Sequence, residues 1–142
     1  MSRPAPPAGW ADLPFFARDW PALWDRLAAE PGRWQPEPGA IFRALELTPP
    51  DRVRVVILGQ DPYPTAGVAT GLAFSVPEGA PLPRSLANIC REIASDIGVP
   101  RRSGDLADWA RQGVLLLNTA LTVPVGGADG HARLGWRRLA EE

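Results

Sequence analysis

The chain contains no lysine. All fifteen basic residues are arginine, set against sixteen aspartates and glutamates for a formal net charge of −1. That balance argues against a polybasic protein that grips nucleic acid by bulk electrostatics, so any such contact has to be local and shaped. One cysteine, Cys90, leaves neither a disulfide nor a cysteine-based metal cluster to be built within the chain, and His131 is equally alone. No stretch approaches the ~20 apolar residues of a membrane span. Residues 1–9, rich in proline and alanine, lack the apolar run of a signal peptide. A cytoplasmic protein with a disordered segment 1–9 is the expectation. The glycine-lysine-serine signature of a phosphate loop is missing too, which weighs against a nucleotide-binding α/β domain.

What is present fits one domain over residues 1–142, since a chain of this length buries roughly two-thirds of its unfolded surface. Seventeen prolines and fourteen glycines imply many short loops. Residues 21–30 read as a helix with Leu23, Trp24 and Leu27 on one face, and residues 39–47 as a second with Ile41, Phe42 and Leu45 together. The period then changes. Val53, Val55, Val56, Ile57 and Leu58 form a near-continuous aliphatic run, the pattern of a parallel strand covered on both faces, and Gly59 ends it. A long loop leads to a helix over 85–97, with Leu86, Ile89, Cys90, Ile93 and Ile97 in one stripe and Gly98 and Pro100 as stop signals. Asp105 can cap a further helix carrying Leu106, Trp109 and Ala110 that Gly113 closes. Val114, Leu115, Leu116 and Leu117 make a second buried strand ending at Asn118, and Leu134, Trp136 and Leu139 begin another amphipathic helix. Strands separated by helices describe an α/β sheet whose ligand crevice lies off the carboxyl ends of the strands. Two strands alone are too few to cover themselves, so either the fold is unusual or strands are missing.

Asp61 and Asn118 both fall at such strand ends. Within Gly59-Gln60-Asp61-Pro62-Tyr63-Pro64, Asp-Pro and Tyr-Pro specify turns on any reading, but a carboxylate directly after a buried parallel strand is held where chemistry is done. Asn118 is either a turn former or an amide whose paired donor and acceptor suit the edge of a base. Phe74 is either core or, lying in a loop between Gly71 and Ser75, a stacking platform.

Together these words resemble the main family of uracil-DNA glycosylases: GQDPYP at 59–64, GLAFSV at 71–76, PRSLANI at 83–89, GDLADWARQGVLLLNTALTV at 104–123 and GHARLGW at 130–136. The resemblance covers nearly everything after about Trp10. It implies a three-layer α/β fold with a central parallel sheet and an enzyme of base excision repair that flips uracil out of DNA and hydrolyses its glycosidic bond, with no metal or cofactor. By resemblance, Asp61 is the catalytic carboxylate that orients the attacking water and offsets the positive charge developing on the sugar. Gln60, Tyr63, Phe74 and Asn118 bind uracil. Gln60 contributes backbone contacts to the carbonyl at position 2, Asn118 reads N3–H and the oxygen at position 4, Phe74 stacks on the ring, and Tyr63 excludes the methyl group of thymine. Pro81, Pro83 and Ser85 match the loop that presses on the DNA backbone. Uracil-containing DNA, single- or double-stranded, is the implied partner of a monomer.

Two departures stand out. Pro64 occupies a position where many members carry histidine, so any contact made by that imidazole is absent. Members also continue past the last helix into two more strands that bear a glycine-serine loop and a His-Pro-Ser-Pro-Leu segment. None of these residues follows here, so the resemblance implies a C-terminally truncated domain with an incomplete sheet, weakly active or inactive by itself. A non-catalytic uracil- or DNA-binding relative is the alternative reading.

Overall fold

The computed structural model describes residues 2–98, 101, 103–127 and 130–141. Helices α1 (Pro14–Arg18) and α2 (Trp20–Ala29) open the fold and pack on each other, each with a proline in its first turn, where a missing N–H costs nothing. A two-residue strand β1 (Trp34–Gln35), helix α3 (Arg43–Leu47) and strand β2 (Val55–Gly59) follow. After the long loop come α4 (Arg84–Ile97), α5 (Ala107–Arg111), β3 (Val114–Asn118), β4 (Val123–Pro124) and α6 (Arg137–Glu141).

The element that positions the site is the parallel pair β2–β3, in register from Val55 opposite Val114 to Gly59 opposite Asn118. Because the strands run the same way and end together, the chain segments leaving them emerge side by side. A second pair, β1 with β4, is antiparallel, Trp34 opposite Pro124 and Gln35 opposite Val123. Nothing in the sequence pattern announced it, since two residues are too few to show a period.

Helices α3 and α5 pack on β3, whose Leu115, Leu116, Leu117 and Asn118 are all buried. The expectation that β2 is covered on both faces does not hold. Val55, Val56 and Leu58 are 50, 52 and 55% exposed, because among the described residues β2 has a neighbour only on its β3 side and the covering helices sit over β3. The α4 stripe is likewise only partly used: Leu86 and Cys90 are buried, whereas Ile97 projects into solvent at the helix end. Gly98 closes α4 in the left-handed conformation, φ 75°, and Pro100 lies outside the described residues.

An aromatic cluster anchors the core. Trp20 meets Phe42 edge-on at 4.9 Å between ring centroids and Trp136 at 5.4 Å, and Phe15 stacks on Trp136 at 5.8 Å. The Trp20 indole donates to the Pro4 carbonyl at 3.0 Å, and Pro7 is buried, so the segment for which composition predicts disorder supplies a core acceptor at 4 and a packed ring at 7. His131 is buried as well. Its Nε2 lies 2.8 Å from Glu30 Oε1 and its Nδ1 2.9 Å from Thr122 Oγ1, which also accepts the Trp136 indole N–H at 2.8 Å. This chain of polar contacts fastens the segment before α6 to the end of α2.

Candidate active site

The ends of β2 and β3 are joined closely enough to demand glycine at 59. A β-carbon there would collide with Oδ1 of Asn118 and come within 3.2 Å of Ala73 Cβ, so the carboxamide rests where a side chain would otherwise be. Beyond the strands the pairing continues as a bridge between loops. Thr119 N–H donates to the Gly59 carbonyl at 3.0 Å, Ala120 N–H to the Gln60 carbonyl at 3.0 Å, and Thr119 Oγ1 to that same carbonyl at 2.8 Å. The backbone leading into Asp61 and the backbone leaving Asn118 are thereby tied to each other.

The loop between β2 and α4 folds back over these strand ends. Ala73 N–H donates to the Leu116 carbonyl at 3.0 Å, and Ser75 Oγ accepts Leu106 N–H at 2.9 Å, pinning the apolar patch of the loop to β3 and the start of α5. Phe74 lies between these anchors with φ 66°, the only non-glycine residue with positive φ among the described residues. A phenylalanine adopts that conformation only under compulsion, at a cost of about 1–3 kcal/mol, and such strain concentrates at functional sites. Its carbonyl accepts the Tyr63 hydroxyl at 2.7 Å. Burial raises the Tyr63 hydroxyl above its ordinary range, and a hydrogen bond with the Ser85 side chain offsets part of the rise. Burial therefore outweighs the Ser85 contact and holds the phenol protonated.

These pieces enclose a cavity of about 190 Å³ lined by Gln60, Asp61, Tyr63, Phe74, Ser85 and Asn118 among others. A cavity of about 150 Å³ in another protein takes up benzene, so the space suits one six-membered ring. Six of the eight residues singled out from sequence thus share one pocket, and Pro81 is not among its lining residues. Pro83 does not line it; it stands just before α4 as its N-cap, φ −61°, at a helix N-terminus whose first amides have no partner within the helix. Ser85 is turned toward Tyr63, a contact that the sequence pattern did not foresee.

Sequence reasoning also missed several supports. Thr119 and Ser75 hold the loops as described, and Gln35 of β1 hydrogen-bonds the loop after Asp61. Thr70 lines the cavity, and its hydroxyl oxygen is the one buried side-chain polar atom without a hydrogen-bond partner among the described residues. Only proximity in three dimensions reveals them; no local spacing marks any of the four.

The sequence profile described as the Uracil DNA glycosylase superfamily matches residues 45–142, more than half of the chain and every element that forms this pocket. The chain belongs to that superfamily. Among curated glycosylases it is similar to the uracil-DNA glycosylase of a Ruegeria species, 56% identical over 135 residues, and to that of Ralstonia nicotianae, 50% identical over 149 residues. These alignments take in 94 and 95% of the chain but only 58 and 56% of the relatives, so the chain spans little more than half their length. Among solved structures it resembles mimivirus uracil-DNA glycosylase with a TM-score of 0.81 at 32% identity, over 93% of this chain and 52% of that one. A mimivirus UNG variant in complex with UGI gives 0.85 at 32% identity, over 99 and 55%. The glycosylase fold, α/β with a parallel sheet that is incomplete in this chain, is thus shared with those structures.

Proposed function

We propose that the chain is the uracil-recognising and water-activating portion of a DNA-repair hydrolase that extrudes uracil from DNA and cleaves its N-glycosidic bond, leaving an abasic site. The observation that carries this reading is the convergence of Asp61, Asn118, Phe74 and Tyr63 on one ring-sized cavity at the carboxyl ends of β2 and β3.

The chemistry divides among these residues. Asn118 presents a carbonyl oxygen to N3–H and an amide N–H to the oxygen at position 4; cytosine offers the opposite pattern and is refused. Phe74 stacks on the flipped ring, and Gln60 meets the oxygen at position 2 through its backbone. Tyr63 fills the space beside ring carbon 5, where the methyl group of thymine would have to go. Asp61 orients a water toward the anomeric carbon. As the C–N bond breaks and its electron pair leaves with the uracil, the carboxylate faces an oxocarbenium-like sugar, whose charge it stabilises through a fixed negative charge.

Pro83 and Ser85, with the first amides of α4, take the DNA backbone. Few and aimed contacts of this kind account for how a chain of net charge −1 holds a polyanion. The protein acts on uracil-containing DNA in the cytoplasm. No helix among the described residues is long and apolar enough to cross a membrane.

The test uses the 142-residue chain in excess over a single-stranded oligonucleotide with one uracil, followed to long times so that slow release registers. Wild type is expected to release uracil, and Asp61→Asn to bind the oligonucleotide equally well while releasing base at least about 10²-fold more slowly. Equal rates for both would remove Asp61 from the chemistry. Binding without any release by wild type would instead identify a non-catalytic uracil binder.

A further inference from the structure

Gln35 lies on β1, outside every motif that carries the family resemblance, and is 8% exposed. Its carboxamide is spent on the loop that leaves Asp61. Nε2 donates to the carbonyls of Tyr63 at 2.9 Å and Thr65 at 2.8 Å, and Oε1 accepts the N–H of Gly67 at 3.1 Å. A carboxamide has two N–H donors and one acceptor oxygen, so both donors and the oxygen act on this one segment. The support of the clamp is firm, because β1 is paired with β4, and Gly126, just past β4, donates its N–H to the Pro64 carbonyl at 2.8 Å. Carbonyls 63, 64 and 65 are therefore all held from the β1–β4 side.

Tyr63 is consequently gripped at both ends, its carbonyl by Gln35 and its hydroxyl by the Phe74 carbonyl. The ring between them forms part of the cavity wall. A wall that excludes a single methyl group has to be held to a fraction of an ångström, and a wall residue on a loop acquires that rigidity only from what anchors its backbone.

We propose that Gln35 is a positioning residue for base selectivity: by fixing the 63–67 backbone it keeps the Tyr63 ring where thymine is refused. This rests on the reading of the cavity as a uracil site. Gln35→Leu removes all three hydrogen bonds at similar volume. Gln35→Glu keeps an acceptor for Gly67 but sets carboxylate oxygens against the carbonyls of Tyr63 and Thr65, so it separates the two halves of the clamp.

Two readouts on the 142-residue chain test this: fluorescence anisotropy with matched uracil- and thymine-containing single-stranded oligonucleotides, and amide hydrogen exchange at Gly67 by NMR. Both variants are expected to lower the uracil-over-thymine affinity ratio about ten- to a hundredfold, the scale on which one methyl group is discriminated. Gly67 exchange should accelerate in Gln35→Leu and stay slow in Gln35→Glu. A folded variant with an unchanged ratio overturns the proposal, as does an unprotected Gly67 amide in wild type, a measurement that requires no variant to fold. Wild type without uracil preference would refute the uracil reading alone; the clamp would then stand if Gly67 protection is lost in Gln35→Leu and fall if it is not.

Discussion

Tyr63 is the only tyrosine in the chain, so phenolate absorbance reports on the cavity wall without interference. Burial holds its hydroxyl above the ordinary value of 10.0, and the Ser85 hydrogen bond acts in the opposite direction. A phenol raised in the folded state contributes stability that is complete below the unfolded value and is lost as pH rises through the folded one, because the unfolded chain sheds a proton that the native protein keeps. Alkaline titration of the native protein should give a midpoint above that of the same chain in denaturant. Ser85→Ala should move the native midpoint further up, and a native midpoint at or below the denatured one would mean that the ring is not buried. The same residue illustrates what was legible one side chain at a time. Asp61, Asn118, Phe74 and Tyr63 could be named because each sits in a recognisable word; the hydroxyl of Ser85 beside Tyr63 could not, since their contact depends on how the long loop closes over α4.

Among elements, the parallel pair matters most, and its tightest point is Gly59 against Asn118. Gly59→Ala inserts a methyl group where the carboxamide oxygen lies. Overpacking of this kind typically costs about 1–3 kcal/mol. Relief by rotating Asn118 would displace the amide from the cavity, so the variant should lose uracil binding whether or not its melting temperature falls. Calorimetric melting and uracil titration together check this, and normal binding with normal stability would show that the strands do not approach as described. Long, strongly patterned elements were readable from sequence. Helix α4 emerged from a 3.6-residue stripe, and β3 from four consecutive aliphatic residues. Helix α1, five residues with two buried phenylalanines, is too short to display a period, and β1 and β4 exist only because the chain brings Gln35 beside Val123. The exposure of β2 was illegible for a different reason: an aliphatic run records what a strand is suited to, not what stands next to it.

For the whole molecule, the residues proposed for catalysis and recognition converge although the chain spans little more than half the length of the Ruegeria and Ralstonia relatives. The pocket is built from the strand ends, the loop and α4, all within residues 59–121. The sheet is another matter. Strand β2 presents valine and leucine side chains on both faces and, among the described residues, a free hydrogen-bonding side. Val56→Lys places a charge on a half-exposed position, where substitutions usually alter stability by no more than about 0.5 kcal/mol. Sedimentation over a concentration series should find wild type growing in average mass above 15.3 kDa while Val56→Lys stays at that value. Equal behaviour of the two would clear this strand of blame. A ribbon with one raw selvedge is a template for its own kind, because each added chain satisfies the amides of the last and bares a fresh row. Concentration then sets how long a solution of this chain stays clear.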